Sequence, residues 1–274
     1  MKKQVVASNQ GDLSKSLKTL FSSVVIPLAL TAAVCIFIFI LGNGSNFQGG
    51  NHANQPLPGN FLGTVYKGGF IVPILMALLI IVLTYSIERF FTITKAKGKG
   101  SVTTFIKKIK HLIEYNTVGE AIVECDKQRG SVANVVKSTL NRYTALEGDQ
   151  GMTKDQKLLS IQKEIEEATS LELPALEQNL VVLATISSVA TLLGLLGTVL
   201  GMIRAFAALA QAGAPDSVAL STGISEALIN TAFGIGTAAL AIVFYNVFTT
   251  QIDKLTHSID EAGFSIVQTY AEKH

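Results

Sequence analysis

Glu226 stands at the head of an uncharged run from Ala227 to Ile252, inside the stretch GISEALINTAFGIG (Gly223 to Gly236). An acid so placed can take up and release a proton, or bond a neighbouring helix in its neutral form. An ionised carboxylate in hydrocarbon costs at least a few kcal/mol. Burial without a partner therefore favours the neutral acid, while a hydroxyl, a file of water or a partner charge stabilises the anion. That balance suits proton handling, which is preferred here over a purely structural role. Asn230 lies four residues on, so it shares the acid's helical face and is a candidate pore-lining residue.

The small residues around the acid need a partner surface. Gly223, Ala227, Asn230, Gly234, Thr237 and Ala241 form one stripe, and the preceding apolar segment carries Gly194, Gly197 and Gly201 at steps of three and four. In membranes such residues let helices approach closely, so these glycines are read as packing positions. Thr191 and Thr198 run beside them as a polar line, Thr191 as a second candidate pore-lining residue. Each hydroxyl can instead bond back to the carbonyl four residues earlier. Counted at 1.5 Å per residue from a turn near 211–216, Thr198 lies roughly 20 Å and Glu226 roughly 15 Å along their helices. The two helices are antiparallel neighbours, so the residues are expected at similar depth.

Other chemistries are poorly served. GLLGTVLG has neither a Walker lysine nor a strand before it, so it does not read as a phosphate cradle. His52, His111, His257 and His274 are scattered, without metal-ligand spacing. No histidine accompanies Glu226 in the two small-residue helices, which argues against an intramembrane enzyme; no cofactor beyond the proton is expected. Cys35 and Cys125 do not make a disulfide framework. A net charge of +2 gives no case for nucleic acid.

The elements that must position these residues follow from hydropathy. The chain is 49% hydrophobic and 15% charged, against about a quarter charged in soluble domains. About 20 apolar residues cross a bilayer, and four stretches qualify. The spacing predicts an all-α membrane protein with an inner segment 1–20, helix 21–41, an outer loop 42–67, helix 68–91, a helical region 92–178, helix 179–210, an outer turn 211–216, helix 217–249 and an inner tail 250–274. The first helix follows Lys2, Lys3, Lys15 and Lys18, but Leu41-Gly42-Asn43 is a poor cleavage site, so it reads as a retained anchor rather than a signal peptide. Lysines cluster at Lys95, Lys97, Lys99, Lys107, Lys108 and Lys110, which puts both termini and region 92–178 in the cytoplasm. Arg204, near the outer end of its helix, reads as snorkelling outward to the headgroups.

The loop GNGSNFQGGNHANQPLPGN reads as a flexible linker. Within 92–178, Val102, Phe105, Ile106, Ile109, Leu112 and Ile113 form one apolar stripe, and Val132, Val135, Val136, Leu140 and Tyr143 another. Thr117 with Glu120, and Thr153 with Gln156, have capping-box spacing; Gly130 can end the helix between them. GDQG at 148–151 reads as a turn, and Pro174 as a kink in the helix that follows.

GLLGTVLGMI (Gly194 to Ile203), then GISEALINTAFG (Gly223 to Gly234) and YN (Tyr245, Asn246), resemble the MotA/TolQ/ExbB proton-channel family, its ExbB or TolQ branch above all. GEAIVECDKQRGSVANVVKSTL is similar to the family's cytoplasmic segment. The resemblance implies a pentamer in the bacterial inner membrane around an ExbD-like single-helix subunit that carries a membrane aspartate, with a TonB-like protein as further partner. Proton flow would then energise outer-membrane uptake; a TolQ-like role in the envelope and a gliding or secretion motor are the alternatives, and a plain scaffold is a weaker one. It also implies a proton pathway of Glu226, Thr198 and Thr231. Spacing supports Thr231 less than Asn230, since five residues turn an ideal helix about 140° away from Glu226. The family often has proline where this chain has Thr191 and Leu240, which bears on pore shape; the helix 21–41 is additional to the usual three-helix plan.

Overall fold

The structure is a computed structural model that describes residues 24–148, 151–210 and 216–273. The expected inner segment 1–20, the start of the first helix, residues 149–150 of the GDQG turn, residues 211–215 of the outer turn and the C-terminal residue lie outside the described residues. The described residues are helical throughout, save loops and one isolated bridge between Phe47 and Pro56. Four helices among them are long and apolar enough to cross a membrane. The chain divides into two compact units: one takes in the chain up to Ser86 together with Val182–Val243, the other Ile87–Val181 and the chain from Phe244.

The first unit holds α1 (Val24–Leu41), whose last turn, Ile36–Leu41, widens to a π-helix, then the short α2 (Phe61–Tyr66) and the apolar part of α3 (Ile71–Ala96). It also holds most of α8 (Leu180–Leu209) and the first half of α9 (Ser217–Lys273). Leu41, Val65 and Val72 form a buried cluster, with Phe37, Tyr66, Ile229 and Phe233 packed on it.

Loop 42–67 is folded rather than a free linker. Asn46 donates to the carbonyls of Ile40 and Leu41 at 2.8 and 3.0 Å, satisfying acceptors that the end of α1 leaves open. Asn60 caps α2 by accepting from the Gly63 amide. Phe47 is buried edge-on against Tyr66, which stacks on Phe37 at 4.7 Å. The glycine and asparagine content read as flexibility in fact serves tight turns: Gly49, Gly50 and Gly59 all have positive φ.

The second unit contains α4 (Val102–Glu114), α5 (Val118–Gln128), α6 (Ser131–Glu147) and α7 (Lys154–Glu177). Its core is built on the two stripes: Phe105, Ile106, Ile109 and Ile113 are buried on α4, and Val132, Val135, Val136, Leu140 and Tyr143 on α6. Thr153 and Gln156 close a reciprocal capping box. Thr117 does not, because its hydroxyl donates to the Leu112 carbonyl at 2.8 Å instead. Helix α7 continues through Pro174, and the chain breaks at Gln178 and Asn179, the latter at φ 66. The buried Arg89 donates to the carbonyls of Ala175 and Leu176, both at 3.1 Å, and pairs with Glu88, so these open acceptors in the last turn of α7 are met.

Candidate functional site

The site is built on the contact between α8 and α9 in the first unit, and glycine sets its register. A Cβ at Gly194 would lie 3.1 Å from the Gly234 Cα, and one at Gly201 would lie 2.7 Å from the Ala227 amide nitrogen. A Cβ at Gly223 would lie 2.7 Å from the Ala205 amide nitrogen, and one at Gly197 would collide with Asn230. The pairing is thus antiparallel, with backbones too close for any side chain between them.

This register creates two polar contacts. At one, the hydroxyls of Thr198 and Thr231 touch, and each also donates to the carbonyl four residues earlier, Gly194 and Ala227, at 3.2 Å. At the other, Arg204 Nη1 donates to both carboxylate oxygens of Glu226, at 2.6 and 2.7 Å. Glu226 and Thr231 are five residues apart, so the contacts are stacked about 7.5 Å apart along the helix instead of level. Thr231, turned away from the face of Glu226, reaches the other helix at Thr198.

Glu226 is 3% exposed, whereas the Arg204 side chain is 53% exposed. The guanidinium also lies 5.9 Å from the centroid of the Phe70 ring. Gly69 admits the carboxylate: it has φ +76, and a Cβ there would lie 2.5 Å from Glu226 Oε1. Any side chain at this position would be strained and would displace the acid.

Arg204, expected to snorkel outward, instead bonds the acid. Its Cα is fewer residues from the turn than that of Glu226, and the length of its side chain closes the gap. A signal was present in the sequence. Arg204 is the only Lys or Arg between Lys163 and Lys254, and Glu226 the only acid between Asp216 and Asp253. A lone cation and a lone anion in one apolar hairpin have strong reason to pair.

Asn230 is fully buried and donates to the Gly68 carbonyl at 2.9 Å, tying α9 to the turn before α3. Its amide oxygen is buried without a hydrogen-bond partner among the described residues. Thr191 is half-buried and donates to the Ser187 carbonyl at 3.1 Å. No group of His, Cys, Asp and Glu able to hold a metal ion occurs among the described residues.

Residues 129–261, which include both contacts, match the MotA/TolQ/ExbB proton channel family. The match takes in just under half of the chain. It is 37% identical over 112 residues to an ExbB-like biopolymer transport protein of Synechocystis sp., covering 40% of this chain and 53% of that one. It is 31% identical over 124 residues to the Tol-Pal system protein TolQ of Pseudomonas aeruginosa, covering 45% and 54%. Against the biopolymer transport protein ExbB of Salmonella typhimurium it is 34% identical over 85 residues, covering 31% and 35%. The chain thus spans about half the length, or less, of these relatives. Both stacked contacts fall in the matched region, whereas α1 and loop 42–67 lie outside it.

Proposed function

We propose that the chain is the channel-forming subunit of a proton-driven motor in the bacterial inner membrane, with both termini cytoplasmic. The observation that carries this reading is the buried Glu226, held by Arg204 inside an apolar helix pair of a proton-channel family. Protonating Glu226 cancels its charge and frees the half-exposed guanidinium. Releasing the proton restores the pair. One proton is thereby coupled to a charge rearrangement within the hydrocarbon, where such a change has the largest electrostatic effect. The touching Thr198 and Thr231 hydroxyls continue the polar line past the acid, in a position to pass or orient a water-borne proton.

In this reading the chain forms a pentamer around an ExbD-like single-helix subunit with a membrane aspartate. Through a TonB-like partner it energises outer-membrane transport. Service in a TolQ-like envelope system is the second reading, favoured by the match to TolQ over a similar share of the relative's length. The test is proton flux into liposomes containing the chain and its co-expressed partner under an imposed potential. Flux is expected from the parent and not from Glu226→Gln; equal flux from both overturns the proposal. Rescue of siderophore uptake in a strain lacking ExbB, against rescue of detergent resistance in one lacking TolQ, separates the two readings.

A further inference from the structure

The second unit contains an open cleft of about 510 Å³ that the proton site does not use. Lys95, Lys99, Arg129 and Ser131 line it together with the apolar Ala96 and Leu176. No carboxylate lines it, and none of the three cations makes an ion pair among the described residues. Asn134, also in the lining, is engaged by Glu172 at 2.9 Å.

Helix α6, 17 residues long, begins at this cleft, and its N-cap is Gly130, so no side chain caps its first amides. Open amides at a helix N-terminus attract an anion. A second feature points the same way. Ser131 is 5% exposed and lines the cleft, and its hydroxyl makes no hydrogen bond to another of the described residues. A hydroxyl that opens to a cleft can donate to an anion held there. Three cations, open helix amides and a waiting hydroxyl form a phosphate-binding set.

The surroundings select the kind of phosphate. Lys95 follows the apolar run of α3 directly, one turn beyond the exposed rings of Phe90 and Phe91, at the level where a spanning helix meets headgroups. Free phosphate has no use for the apolar wall of Ala96 and Leu176; the glycerol and first methylenes of a lipid do. We propose that this cleft binds the phosphodiester headgroup of an anionic phospholipid.

The experiment is native mass spectrometry of the full chain in mild detergent, titrated separately with phosphatidylglycerol, phosphatidylcholine and inorganic phosphate. Phosphatidylglycerol is expected to be retained in preference to phosphatidylcholine. The exposed triple variant Lys95→Gln/Lys99→Gln/Arg129→Gln should lose about a hundredfold in affinity, at about fivefold per cation. The control Lys107→Gln/Lys110→Gln/Lys254→Gln should retain the lipid. Ser131→Asp supplies a carboxylate to the same cations at a helix start that tolerates acids, so it should fold and still lose the lipid by at least about tenfold. Unchanged retention by the triple variant, or equal retention of the two lipids, overturns the proposal. So does displacement of phosphatidylglycerol by inorganic phosphate that depends on the same residues, which would make the cleft a free-phosphate site.

Discussion

The α8–α9 contact of the first unit and the α4–α7 bundle of the second are both helix on helix, but they are specified by opposite means. The bundle uses large apolar stripes on short helices, and its ion pairs, such as Lys163 with Glu167 and Lys137 with Asp126, sit in the open. The hairpin uses the absence of side chains: Gly194, Gly201, Gly223 and Gly234 bring backbones together. It carries one ion pair with its acid fully enclosed. A stripe of large residues adjusts to small changes because each contact is one of many. A glycine contact has no slack, and it fixes which polar groups meet. The polar chemistry is therefore placed by the region with the fewest polar groups.

Removing the enclosed pair should have the largest effect. Glu226→Gln should abolish proton-driven activity, by at least about a hundredfold if the acid carries the proton. Arg204→Gln leaves a buried carboxylate without its cation. Losing one partner of a buried pair costs about 3–5 kcal/mol, and the exposure of Arg204 lowers that to about 1–3 kcal/mol. In the double variant the carboxylate is gone, so most of the lost stability should return while activity stays absent. Thermal denaturation of all four proteins in detergent measures the coupling. Additive losses would show that the pair is not the unit that matters.

The next contrast is steric. Gly201→Val should destabilise the hairpin by about 1–3 kcal/mol or more, since the obstacles are backbone atoms at 2.7 Å that cannot rotate away. Gly119→Ala, in α5 of the bundle with open space around it, should stabilise by about 0.5–1 kcal/mol. Denaturation midpoints of the two variants read the difference; similar shifts would erase the distinction between the regions.

What the sequence disclosed follows the same division. The apolar runs and stripes announced the helices, because burial periodicity is a local property of the chain. Gly194, Gly201 and Gly223 announced close packing for the same reason. The Arg204–Glu226 pair was missed because depth was counted along the backbone, whereas a guanidinium reaches across a turn. Loop 42–67 was misread because Asn46 and Phe47 act through tertiary contacts that composition does not reveal. Thr117 has the spacing of a capping box, but a nearer acceptor at Leu112 wins its hydroxyl.

Cys125 sharpens the bundle side. It is 2% exposed in α5, and burial pushes its thiol from 9.0 up to about 12. In a Cys35→Ala background, alkylation at pH 8 should be at least about tenfold slower in the folded protein than in denaturant. The folded thiol holds its proton more tightly, so this contribution to stability is complete below pH 9 and is lost as pH rises towards 12. Equal alkylation rates would mean that the stripe packing of α5 opens freely.

The smallest effect belongs to the exposed charges. Hydrogen bonding from Lys108, with Lys127 on the other oxygen, holds the Glu124 carboxyl below its ordinary range despite some burial. Its folded form therefore favours the anion, and the stabilisation present above pH 4.5 is lost as pH falls through that range. Lys108 is half in solvent, so Glu124→Gln should cost only about 0.2–1 kcal/mol, and less in high salt. Urea denaturation at low and high ionic strength measures it. A salt-insensitive loss as large as that of Arg204→Gln would mean that the α4–α7 bundle also depends on an enclosed charge, and the two regions would no longer differ in kind.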